Sequence, residues 1–158
     1  MNRYDIESLL ADIESVLSEN LNNKLTALDA EKADGIVMRP VDARAYFLQE
    51  LNSRVANFNP FILYGITNIE ARPHITGTAG IYTINVALIV ADYGNDLNIV
   101  KKMMRYSRAL KETIEENFYL KQNSVSLEVQ SLIPDQFQKL NSSENYRVVG
   151  VDILATLS

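Results

Sequence analysis

The sequence contains no cysteine. Disulfides, thiolate nucleophiles and Cys-ligated metal sites are thereby excluded, and the chain suits a reducing compartment. Histidine is nearly as scarce, with His74 the single one among 158 residues. It stands beside Pro73 with neither cysteine nor a carboxylate motif nearby, which favours an ordinary loop histidine over a triad member or metal ligand. Basic residues are also short, 15 against 20 acidic ones, for a formal net charge of −5. That argues against a mainly nucleic-acid-binding protein, whose phosphate contacts need clustered Lys and Arg, and against docking on acidic lipid. No stretch approaches the roughly 20 apolar residues of a membrane span. The opening Met1-Asn2-Arg3-Tyr4-Asp5 carries no apolar signal core, so the expectation is a soluble chain made in the cytosol.

Catalytic signatures are missing as well. There is no G-x-S-x-G, Walker or H-E-x-x-H pattern. Gly77 and Gly80 precede a strand rather than a helix and lack phosphate-cradle spacing. Asp92-Tyr93-Gly94-Asn95-Asp96 offers oxygen ligands but not the spaced acids and terminal Glu of an EF-hand loop. A turn with Asn95 or Asp96 capping the next helix explains it better. Asn141-Ser142-Ser143 matches a glycosylation sequon, which carries no meaning without a secretory signal. The expectation is a protein without catalytic residues, cofactor or metal.

What is present is organised around residues Ile81 to Tyr119. Tyr82, Ile84, Val86, Leu88 and Val90 share one side of an extended chain, because side chains alternate along a strand. Beyond the turn at Asp92–Asp96 the apolar spacing becomes helical, through Val100, Met103, Met104, Ser107, Leu110, Ile114 and Phe118. An opening helix is written in Ile6, Leu9, Leu10, Ile13, Val16, Leu17, Leu21, Leu25 and Leu28, capped by Asn2 or Asp5 and stopping near Ala30. Between Glu31 and Pro60 the pattern is weakest. Gly35-Ile36-Val37-Met38 reads as a short strand, and Asp42 as the N-cap of a short helix over Ala43 to Leu51.

Phe61 to about Arg72 reads as the first long strand, and Pro73 to Gly80 as the tip of a hairpin leading into the second. Val125, Leu127 and Val129 alternate with polar residues in a third strand. Ile133 to Asn145 reads as a long polar connection containing Pro134, and Tyr146 to Leu157 as the closing strand. The expected class is α/β (α+β), in the order α-(α)-β-β-α-β-β. One four-stranded mixed sheet carries two main helices on one face, and the helix after the second strand makes a right-handed crossover. The second face, with Thr83, Asn85, Ala87 and Ile89, is only partly polar, so it is either solvated or meets another subunit. At this length one domain is expected, burying roughly two-thirds of its unfolded surface.

The Leu-rich opening helix, Asn59-Pro60-Phe61-Ile62-Leu63-Tyr64-Gly65-Ile66, Val86 to Val90 followed by Met103 to Leu110, and Val148 to Ile153 together carry a resemblance. In this order of elements the chain resembles bacteriophage neck proteins of the tail-terminator or tail-to-head joining type. The resemblance implies a small α/β subunit that closes into a ring, typically a hexamer, on the end of the tail tube. Its implied partners are further copies of itself, the tail-tube protein, the head connector or head-completion protein and, in a contractile tail, the sheath. It implies no catalytic residue, cofactor, membrane or sequence-specific nucleic acid, and a place in the virion after assembly in the host cytoplasm. A head-completion or adaptor role in the same neck is the neighbouring alternative. From other classes stand a small-ligand or peptide-binding module using the second sheet face, and a hydrolase built on Asp92 and Asp96.

Two surfaces are expected to make subunit or partner contacts. One is the hairpin tip with Arg72, His74, Thr76 and Thr78, which holds little that could pack. The other lies on the long helix. At about 100° per residue, Lys101, Arg105, Arg108, Glu112, Glu115 and Glu116 crowd into one wedge away from the apolar stripe. Bases first and acids last oppose the helix dipole, which suggests a role at a subunit seam. The alternative is a solvated face with pairs such as Arg108–Glu112 and Lys111–Glu115.

Overall fold

The computed structural model describes residues 4–48, 57–71, 80–120, 124–139 and 145–157. Helices α1 (Ile6–Lys32) and α2 (Ile99–Glu116) lie against a mixed sheet of six strands. The strands are β1 (Tyr46–Leu48), β2 (Phe61–Ala71), β3 (Gly80–Ala91), β4 (Tyr119–Leu120), β5 (Val125–Lys139) and β6 (Asn145–Leu157). Their order across the sheet is β1-β2-β3-β6-β5-β4, with β1 parallel to β2 and every other pair antiparallel. The expected four strands are all present; the short β1 and β4 were missed, because neither is long enough to show a period.

The pleat of β3 sorts the molecule. Tyr82, Ile84, Val86 and Leu88 are buried against the helices, while Thr83, Asn85 and Ala87 on the other face are half-buried. In register with them stand Ile62 and Tyr64 of β2 and Val149, Val151, Ile153 and Ala155 of β6. From α1 come Leu9, Ile13, Leu17, Leu21, Leu25 and Leu28, all buried at a spacing of four, then three. Each such side chain contributes about 1.5–3 kcal/mol on burial. Asp5 caps this helix, its carboxylate accepting from the Ser8 amide at 2.9 Å. Ala33, at φ 46°, ends it in a left-handed turn whose N–H returns to the Asp29 carbonyl.

The structure corrects three local expectations. Gly35 to Met38 forms no strand; Asp34 accepts from the Ile36 amide and Asp29 from the Met38 amide, tying this segment to α1 instead of to the sheet. Asp42 does not start a helix. It accepts from the Arg44 amide at 2.8 Å, Ala45 N–H closes a turn on the Asp42 carbonyl, and the chain then enters β1 beside β2. Residues 49–51 of the expected helix lie outside the described residues. Finally, Ile133 to Lys139 belongs to β5 and is not a loop. Pro134 is tolerated because the β5–β6 register slips between Ile133 and Gln136, where no ladder hydrogen bond from residue 134 is needed.

Gly150 of β6 faces β3 so closely that an added Cβ would stand 2.5 Å from the Val86 carbonyl oxygen and 3.3 Å from the Ala87 Cα. Backbone atoms cannot swing aside, so Gly150→Ala should destabilise the subunit by about 1–3 kcal/mol. Leu88 is fully buried, and Leu88→Ala should cost about 2–5 kcal/mol. Urea unfolding checks both; a midpoint unchanged by Leu88→Ala would refute the facing assigned to β3.

Candidate interaction surfaces

The helix layer is held by ion pairs that run from one helix region to the other. Arg105 is only 7% exposed and makes a fork with Asp34, with Nη1 at 3.1 Å from Oδ1. Arg108 donates Nη1 and Nη2 to Glu31 at 3.0 Å each and Nε to Glu112 at 2.8 Å. Lys24 bridges Glu112 and Glu116. These pairs set α1 and α2 antiparallel, because Asp34 and Glu31 meet the start of α2 and Lys24 meets its end. The wedge is thus not uniformly exposed. Arg105, Arg108, Glu112 and Glu116 face α1 and the chain after it, Glu115 pairs with Lys111 along α2, and Lys101 makes no ion pair among the described residues.

The apolar stripe of α2 is also displaced. Its buried face is Met103, Tyr106, Ala109, Leu110, Thr113 and Ile114, with the Tyr106 hydroxyl donating to the Arg39 carbonyl at 2.7 Å. Val100 and Met104 point away, Met104 65% exposed, and Leu97 in the preceding turn is 99% exposed. Lys32, Lys101, Met104, Arg105 and Arg108 line a cleft of about 450 Å³ there. Sequence reasoning missed this because Val100 and Met104 share helical spacing with Met103, while Tyr106 and Ala109 were left out of the stripe.

At the other end of α2, Phe118 and Tyr119 hold their rings 4.3 Å apart, both partly exposed. Tyr119 and Leu120 form one wall of a groove of about 650 Å³ whose other wall is the first half of α1, including Asp12, Val16 and Glu19. On the sheet, β4 flanks only the first two residues of β5. From Glu128 to Lys139 no described strand lies outside β5, and Leu132 and the 55%-exposed Phe137 stand beside that edge. Arg147 from β6 pairs with Asp135 and lies over the Phe137 ring.

The second face of the sheet is covered at one end by the chain itself. Phe47, Phe58, Phe61 and Tyr146 make ring contacts at 5.9–6.5 Å between centroids. Further along, Asn85 and Ser131 both donate to Asp152 at 3.0 Å, a polar row across β3, β6 and β5. Asp92 and Asp96 line a small cleft but are engaged as turn groups. Asp92 accepts from the Gly94 amide, and Asp96 from the Asn98 amide and the Lys102 ammonium. The expected cap at Asn95 or Asp96 is thereby corrected: Asn98 occupies the N-cap position of α2, without a side-chain cap bond, and Asp96 closes the turn before it. Among the described residues no group of acids and histidine is placed to hold a metal, and no helix is long and apolar enough to cross a membrane. Arg72, His74, Thr76 and Thr78 lie outside the described residues.

Neither any family model nor any curated protein matches this chain.

The Arg105 fork holds the Asp34 carboxyl down to about 2, with the Ile36 amide adding to the effect. A carboxyl depressed in the folded state stabilises the fold fully above its unfolded value near 3.9 and loses that contribution as pH falls through its folded value. Acid unfolding should therefore draw on Asp34 between about pH 4 and pH 2. Asp34→Asn should lower stability at pH 7 and flatten the fall in that window; a variant with the wild-type slope would show the fork to be energetically idle.

Proposed function

We propose that this chain is a structural subunit that closes into a ring, of the kind that terminates or joins bacteriophage tails. The observation that carries the assembly half of this reading is the edge of β5. Residues 128–139 present backbone donors and acceptors, with Leu132 and Phe137 exposed beside them. Such an edge is a template for pairing with another chain, and the bulge at Pro134 restricts which strand can pair. Exposed apolar groups at Leu97, Met104 and Tyr119 mark further contact area. The neck half rests on the order of elements, an opening helix, a hairpin, a helix and two closing strands. In that role the ring would sit on the tail tube, end its growth and face the head connector.

The same edge also supports a second reading, a module that binds an extended peptide by strand addition. Solution mass separates the two. The purified protein should form a closed oligomer of fixed mass, against 17.8 kDa for the monomer. Leu132→Lys with Phe137→Asp should return it to a monomer that keeps its secondary structure and unfolds cooperatively, since both side chains are exposed. A wild-type monomer at every concentration tested would sink the ring and leave the peptide-binding module.

A further inference from the structure

The helix layer has unlike ends. The first half of α1 carries Glu7, Asp12, Glu14 and Glu19 and no Lys or Arg between Ile6 and Asn23. The first half of α2 carries Lys101, Lys102, Arg105 and Arg108, joined by Lys32 from the end of α1. Because the helices are antiparallel, these two halves stand at opposite poles, separated by roughly the 27 Å length of an 18-residue helix. Each pole also exposes apolar surface. At the basic pole it is Leu97, Val100 and Met104; at the acidic pole, Phe118 and Tyr119 beside the α1 groove.

Both poles keep charge that is not consumed within the chain. Lys101 at one and Glu7 and Glu19 at the other make no ion pair among the described residues. The other charges of α2 are answered within the chain, Lys102, Arg105 and Arg108 by Asp96, Asp34 and Glu31, and the acids of the second half by Lys24, Arg108 and Lys111. The acidic end of α2 itself is therefore not the complement of its basic end.

We infer that the Leu97–Val100–Met104 face of α2, rimmed by Lys101 and Lys32, docks into the acidic groove between α1 and Tyr119 of a second copy of this chain. The occupant is another copy because the surface it calls for, apolar with an acidic rim, is present at the opposite pole of the same molecule. Two different surfaces meet, so the contact is head-to-tail, and each copy offers one of each. Opposite charge steers the encounter and fixes the register, while the apolar side chains supply the buried area. This inference deepens the ring reading and rests on it.

A head-to-tail contact has a signature that a symmetric one lacks. A basic-pole variant, Lys101→Gln with Met104→Gln, loses both charge and apolar contact but keeps its groove; an acidic-pole variant, Asp12→Lys with Glu19→Lys, keeps its helix face, and the two altered surfaces carry no opposite charges. Light scattering at low salt should find each variant alone as a monomer. An equimolar mixture should stop at the dimer, because one good contact forms and leaves two spoiled surfaces outside. Circular dichroism confirms that both variants fold. If either variant assembles like the wild type, or the mixture stays monomeric or grows past the dimer, the inference is overturned while the ring reading survives. A wild-type monomer under all conditions removes the ring reading and this inference together.

Discussion

The rotation of α2 about its own axis decides most of what this molecule shows to solvent. Besides the buried band of that helix, Val100 and Met104 form a short apolar patch near its start, and only one of the two can meet the sheet. Tyr106, with its ring buried and its hydroxyl on the Arg39 carbonyl, needs both an apolar bed and a specific acceptor. Arg105, one residue earlier, must then find an anion at the α1 side, and Asp34 supplies it from the turn that follows α1. A guanidinium this enclosed is tolerable only with its carboxylate in place, so the pair holds the setting of α2 and the position of the 34–45 segment at once. The same rotation leaves Val100 and Met104 in water.

That segment is bound to α1 by polar bonds as well as by packing. Asn22 exchanges hydrogen bonds with both the amide and the carbonyl of Val41 at 2.8 Å, and Asp29 accepts from Met38. Met38, Val41 and Ala45 are buried beneath it. The segment thus acts as a strap from the end of α1 to the edge of the sheet, where Ala45 accepts from Ile62 and β1 begins.

Strands and helices with a clean period were legible in the sequence. In β3 and α1 the face assigned from alternation or helical spacing is largely the buried face. Two kinds of feature were not. Ile133 to Lys139 is polar because it lies at a sheet edge, where water can reach one side of the strand, and polarity alone reads as a loop. The setting of α2 depends on a long-range fork with Asp34 and a hydroxyl bond to Arg39, which no local periodicity contains. Of the expected contact wedge, the spacing was right and the surroundings were wrong: the residues do cluster, but α1 already answers most of their charge.

Charge separation in the helix layer follows from the fold and not only from composition. Antiparallel packing of the two helices leaves Glu7 and Glu19 without an ion pair at one pole and Lys101 without one at the other, among the described residues. Within one molecule the two poles cannot meet, being a helix length apart. Between molecules they can, and a contact of that kind propagates until some rotation closes it or none does. One flat contact leaves that rotation poorly determined. In the proposed assembly the edge of β5 is a second constraint on the same neighbour, because backbone pairing fixes strand direction and spacing where a charged apolar patch fixes only approximate position. Closure into a ring of one size requires both contacts to be satisfied by a single rotation, and that requirement is what would distinguish a defined ring from a filament.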